Sequence, residues 1–135
     1  MKHYEVVAAV IKYKDKILCM QRGKAKFDYT SYKFEFPGGK VESGEENHKA
    51  LERELKEEMD INVTINESDY LLTIEHEYPD FAITMHTYLC KVEKPGFVMK
   101  EHISFKWLTV NELDTLDWAE ADKPIVEFLK GRCYL

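Results

Sequence analysis

Three glutamates, Glu54, Glu57 and Glu58, stand at positions i, i+3 and i+4 of one short stretch. In a helix turning about 100° per residue, Glu58 lies about 40° to one side of Glu54 and Glu57 about 60° to the other. The three carboxylates then share one surface. Like charges placed so repel, by roughly 0.2–0.5 kcal/mol per pair on an exposed helix, and partial desolvation raises the penalty. A divalent cation reverses the sign of that interaction. Oxygen-only ligands favour a hard ion, Mg²⁺ or Mn²⁺, over Zn²⁺. A plain charged helix face is the simpler account, since Glu is a strong helix former. Two neighbours favour chemistry: Arg53 can brace a carboxylate or the preceding loop, and Pro37-Gly38-Gly39 brings bare backbone close to the same end.

The elements that must position these groups are legible in outline. Ser43 and Glu46 have capping-box spacing, and a helix is expected from about residue 45 to 59, with His48, Leu51, Leu55 and Met59 as its buried stripe. Residues 4–13 and 17–21 read as a hairpin turned at Lys14-Asp15-Lys16. Residues 23–33 read as a loop, and 33–36 as a strand that ends in the Pro-Gly-Gly turn. Strands are expected at 70–78, 83–92 and 105–108, a helical turn at 111–116 and a final amphipathic helix at 121–129. This order predicts an α/β (α+β) domain, a mixed sheet with helices on its faces.

Composition narrows the partners. The 135 residues, 44% hydrophobic, suit a single domain over 1–135. A net charge of −6 leaves no basic field for polymeric nucleic acid, so a small anionic ligand is the better partner. No window approaches the roughly 20 apolar residues that span a bilayer, and no targeting segment is evident. Cys19, Cys90 and Cys133 are odd in number and widely spaced, which fits buried thiols and a cytoplasmic setting.

Residues 39–61, GKVESGEENHKALERELKEEMDI, resemble the Nudix box, G-x5-E-x7-R-E-U-x-E-E-x-G-U with U a bulky aliphatic residue. Gly39, Glu45, Arg53, Glu54, Leu55, Glu57, Glu58 and Ile61 fall in register. Asp60 stands where the family has Gly; there the helix ends left-handed, a conformation Asp tolerates better than most residues. The resemblance implies an α/β/α sandwich with a mixed sheet. It also implies Mg²⁺ ligands at Glu54, Glu57, Glu58 and the Gly38 carbonyl, with Glu45 and Arg53 shaping the loop-helix-loop. Outside the box, the first strand (residues 5–11), Arg22, the Glu35–Lys40 segment and Ala121-Asp122-Lys123-Pro124 resemble the MutT and CTP pyrophosphohydrolase branch.

That branch implies cleavage of a nucleoside triphosphate to monophosphate and pyrophosphate, by water attacking the β-phosphorus. Glu54 is the general base within the box, and Glu101 its rival from the loop before the last strand. Arg22 and Lys40 are candidates to hold phosphate, or else solvated cations; Glu35 and Phe36 join them as substrate-binding candidates. Asp122 takes the position where MutT reads an oxidised guanine with Asn. Ionised, it only accepts hydrogen bonds, which suits cytosine N4 or adenine N6; protonated, it would serve 8-oxoguanine. The expected substrates are therefore cytidine-type or oxidised nucleotides, such as CTP, dCTP, 5-hydroxy-CTP or 8-oxo-dGTP. An alternative reading makes Asp122 a cap for the final helix, with Pro124 in its first turn. Tyr78 and Phe81 are candidates to stack on a base, or ordinary core aromatics. Tyr78 also keeps dinucleoside polyphosphate or ADP-ribose substrates open. A silent nucleotide sensor would usually have lost its box glutamates, which are retained here, and a purely structural metal-binding helix is a third option. His3, His76, His86 and His102 lack metal-ligand spacing and read as structural, and Trp107 and Trp118 as core. Monomer and homodimer stay equally open.

Overall fold

The computed structural model describes residues 1–132 of the chain, so Cys133 lies outside the described residues. The strands are β1 (Lys2–Tyr13), β2 (Lys16–Arg22), β3 (Phe34–Glu35), β4 (Gly38–Lys40), β5 (Tyr70–Glu77), β6 (Phe81–Lys91) and β7 (His102–Leu108). Two α-helices, α1 (Asn47–Met59) and α2 (Lys123–Lys130), join them, with single 3₁₀ turns at Asp28–Thr30 and Val110–Thr115 among others. All seven strands form one sheet with the path β3-β2-β1-β6-β5, to which β4 adds on β1 and β7 on β2. The β1–β6 pair is parallel, from Lys2↔Phe81 to Lys12↔Lys91, and the other pairs are antiparallel.

β1 is apolar without interruption from Val6 to Ile11 because both its faces are covered. Val7, Ala9 and Ile11 pack with Leu51, Leu55 and Met59 of α1. Ala8 and Val10 pack on the opposite side with Ile125, Val126 and Leu129 of α2. Two apolar layers on one mixed sheet make an α/β/α sandwich, as expected. Burial of side chains of this size contributes about 1.5–3 kcal/mol each, so α1 is held by its stripe more than by its own propensity.

Several expectations need correction. α1 begins at Asn47, two residues late, and Glu46 caps it without any side-chain hydrogen bond, so the capping box from Ser43 is not formed. Glu45 instead accepts the Glu42 N–H at 3.0 Å and faces Arg53. Ala50, not His48, completes the buried stripe; the His48 ring is tied to the Ile65 carbonyl at 3.0 Å. The Pro-Gly-Gly segment is more than a turn: Gly38–Lys40 forms β4, pairing Val6↔Lys40 through Ala8↔Gly38. β7 starts three residues earlier than expected. Asp60, by contrast, ends α1 in the left-handed region (φ 56°, ψ 36°), and its N–H reaches Leu55 and Lys56 carbonyls. Cys19 and Cys90 are buried thiols. Trp118 is a core residue and Trp107 packs at the edge of the α1-side layer.

Candidate active site

The Gly38-Gly39 pair fixes how the carboxylate helix meets the sheet. A Cβ on Gly38 would overlap the Val7 carbonyl of β1, and one on Gly39 would overlap the Glu54 carboxylate. Only glycine lets β4 pass between strand and helix at this separation. Arg53 then locks the arrangement from the other side. Its Nε and Nη2 donate to Glu45 at 2.8 and 3.0 Å, and Nη2 also to the Lys40 carbonyl at 3.0 Å. Nη1 reaches Glu54 at 2.9 Å and Glu57 at 3.2 Å. Arg53 thus ties loop, β4 and two carboxylates together and presents no free face as a phosphate clamp.

Glu54, Glu57 and Glu58 each bring a carboxylate oxygen to within 4.8 Å of the others. Burial raises the Glu54 carboxyl above the usual range, with Arg53 opposing and Glu57 adding to the rise. Glu58 is raised by burial too, then by the negative charge of Glu101, whose carboxyl lies within hydrogen-bond reach. Clustered, partly desolvated oxygens that resist ionisation together are what a hard divalent cation relieves. The donor set fits such an ion. Glu101 thus comes close to Glu58 from a separate segment of the chain.

On the α2 side of the sheet lies a cavity of about 920 Å³, a volume typical of small-molecule sites. Tyr4, Val6 and Ala8 of β1 and Ile83 and Met85 of β6 line it, together with Gly38 and Gly39. Gly39 thus borders both the cavity and Glu54. Of the expected substrate residues, Arg22, Glu35, Phe36, Lys40, Tyr78, Phe81 and Asp122 all line this cavity. Their geometry sorts them. Arg22 is engaged with Glu35, at 3.1 Å from Nε and 3.0 Å from Nη2, rather than free for phosphate. His102 donates from Nε2 to the other Glu35 oxygen at 2.8 Å. Burial pushes the Glu35 carboxyl up, but His102 and Arg22 outweigh it and hold it below the usual carboxylate range. Lys40 Nζ lies 4.3 Å from the centre of the Tyr4 ring.

Asp122 is 5% exposed, and its Oδ2 accepts the Phe36 N–H at 2.9 Å. It makes no side-chain cap to α2, so the capping account is set aside. Desolvation, then the nearby Glu35 charge, raises its carboxyl well above the usual aspartate value. Asp122 is accordingly shifted toward the neutral form, in which a carboxyl donates as well as accepts. That removes the ground for reading it as an acceptor only. Tyr78 is packed in the core: Tyr29 stacks on it at 5.5 Å, and its hydroxyl accepts the Ala121 N–H at 3.0 Å. Phe81 is flanked by Phe27, Tyr78 and Tyr4. Sequence reasoning missed the 23–33 loop as a wall of the site. Ala25, Lys26, Phe27 and Thr30 line the cavity, and Tyr29 donates to Asp80 at 2.7 Å to hold the loop on the β5–β6 turn. The aromatic pair Phe27 and Tyr29 was the available signal.

Fold and site together define a class: a sandwich whose carboxylate helix meets a nucleoside-sized cavity across a diglycine strand. Comparison with known proteins agrees. The NUDIX domain family matches residues 1–129. The CTP pyrophosphohydrolase of Escherichia coli (strain K12) is 36% identical over 127 residues, 94% of this chain and 91% of that protein. The 8-oxo-dGTP diphosphatase of the same organism is 29% identical over 130 residues, 96% and 98% of the two chains. Among solved structures, a MutT protein from Methanosarcina mazei Go1 superposes with a TM-score of 0.84 at 19% identity, covering 98% and 96% of the chains. The chain belongs to the NUDIX family, as a MutT-like hydrolase of phosphoric anhydride bonds. Among the described residues, no helix is long and apolar enough to cross a membrane.

Proposed function

We propose that this chain hydrolyses nucleoside triphosphates to monophosphate and pyrophosphate with Mg²⁺ (or Mn²⁺), on cytidine-type or oxidised bases. The observation that carries this is the meeting of the Glu54-Glu57-Glu58 cluster with the cavity at Gly39. Glu54, Glu57, Glu58 and the Gly38 carbonyl would hold the cation, which neutralises phosphate charge and acidifies the attacking water. Glu101 or Glu54 takes the proton from that water, Glu101 being the one outside the Arg53 network. Lys2, Lys26 and Lys40 at the cavity wall are cations available to meet phosphate, with Arg22 reaching it only by leaving Glu35.

Base choice follows from two carboxyl groups in opposite states. Ionised Glu35 accepts, and neutral Asp122 donates from the oxygen that Phe36 does not occupy. Cytosine presents an N4 amine beside an N3 acceptor, which complements such a pair; uracil reverses both groups. An 8-oxoguanine offers N7–H beside O6 and fits the same pair, whereas unmodified guanine has two acceptors there. CTP, UTP, 5-hydroxy-CTP, GTP and 8-oxo-dGTP assayed by pyrophosphate release test this directly. CTP or the oxidised nucleotides should exceed UTP and GTP in kcat/KM by tenfold or more, about 1.4 kcal/mol. Glu57→Gln should lower turnover by roughly 10²–10⁴-fold with an unchanged melting temperature. Near wild-type turnover in that variant, or equal rates across the panel, would overturn the assignment.

A further inference from the structure

The segment leading into β7 runs from the end of α1 to the cavity wall. Val98 N–H donates to the Met59 carbonyl at 2.9 Å, and Lys100 Nζ to the Glu57 carbonyl at 3.0 Å. Glu101 follows, its carboxyl against Glu58. The next residue, His102, opens β7 and holds Glu35 at 2.8 Å with a side chain only 11% exposed. Two adjacent residues therefore serve the two halves of the site, one beside Glu58 and one bonded to Glu35 of the cavity wall.

Glu101 itself lies in an exposed bend. The group its side chain meets is another carboxylate, which repels it. Its position is thus set by its chain neighbours. Lys100 supplies one anchor. His102 supplies the stronger one, because its bond to ionised Glu35 is charge-assisted and mostly shielded from water, and Arg22 fixes Glu35 in turn. Misplacing a reacting group by about 1 Å can cost on the order of 10²-fold in rate.

We propose that His102 is a positioning residue: clamped on Glu35, it fixes the head of β7 and so holds Glu101 against Glu58. This rests on the reading of the site as a nucleotide pyrophosphohydrolase with Glu101 in its machinery.

A double-mutant cycle on pyrophosphate release from CTP tests it. His102→Ala should lower kcat roughly tenfold, the usual scale for a group that orients a catalytic one, with a separate rise in KM because Glu35, released on one side, holds the base less well. His102→Gln, whose amide still reaches Glu35, should recover kcat to within about threefold of wild type. In a Glu101→Gln background, the His102→Ala step should change kcat less than about twofold, because the residue it acts through is already gone. A full tenfold drop persisting in that background overturns the proposal, as does an effect on KM alone. A well-folded His102→Gln that fails to recover does the same. Thermal melts accompany each variant; if His102→Ala does not fold, His102→Asn, with a shorter amide, takes its place in the cycle. Should no triphosphate yield pyrophosphate with the wild-type protein, the functional reading itself fails. Turnover abolished by Glu57→Gln yet indifferent to His102 overturns only this inference.

Discussion

The two sides of the sheet solve different problems. On the α1 side, charges crowd together half-exposed, and Arg53 alone bridges Glu45, Glu54 and Glu57. On the α2 side, half-buried Glu35 and buried Asp122 are shifted in opposite directions, Glu35 toward the ionised form and Asp122 toward the neutral one. The first side is built to bind a cation and is indifferent to what the nucleotide carries. On the proposed reading the second selects the base, and lysines of its wall meet the phosphates. Mutations on the first side should therefore fall mainly on rate and those on the second mainly on base preference, with His102 linking the two through Glu35 and Glu101.

The adjacent glycines break this comparison most sharply. Gly39→Ala places a methyl group on the Glu54 carboxylate, a side-chain end that can move aside. It should leave the protein folded while lowering kcat by about 10²-fold. Gly38→Ala meets the β1 backbone instead, which cannot yield, and should cost about 3 kcal/mol or more of stability. Kinetics and thermal melts on the two variants check the pair; equal behaviour would refute the geometry.

Asp122→Asn tests the other side. The folded-state value of this carboxyl is raised, whereas the unfolded chain titrates near 3.8. Below that pH both states are protonated and the group contributes no pH dependence. As pH rises beyond it, the unfolded state loses its proton first, so native stability declines until the folded-state value is reached. Asparagine abolishes that decline and still accepts the Phe36 N–H. The variant should gain stability relative to wild type as pH rises above about 4, read as urea midpoints, with kcat nearly unchanged and base preference weakened. Parallel midpoints at all pH values would refute a neutral Asp122.

The smallest effect is expected at Asp60→Gly, which relieves a left-handed residue. A gain of about 0.5–1 kcal/mol, a few degrees in Tm, should come with no change in turnover.

What could be read from the chain beforehand follows the same division. Glu54, Glu57, Glu58 and Arg53 lie within one helical segment, where spacing alone dictates geometry. Glu101 was placed from family likeness, and its contact with Glu58 needed the fold. β4 escaped notice because glycines carry no side-chain pattern; its reason for existing is the closeness of β1 and α1. The 23–33 wall escaped for want of periodicity, since Phe27 and Tyr29 gain meaning only when stacked on Phe81 and Tyr78. His102 read as merely structural because nothing local links it to Glu35, 67 residues away.

The parallel pairing of β1 with β6 has a consequence for how the enzyme comes into being. Lys2 finds its partner only at Phe81, so the cavity floor cannot close until most of the chain has left the ribosome. Helix α1, finished 22 residues before Phe81, is by then already complete. Long-range pairing of this kind folds slowly, and a nascent chain halted short of β6 would carry the three helix carboxylates, without Glu101, and nowhere to seat a nucleotide.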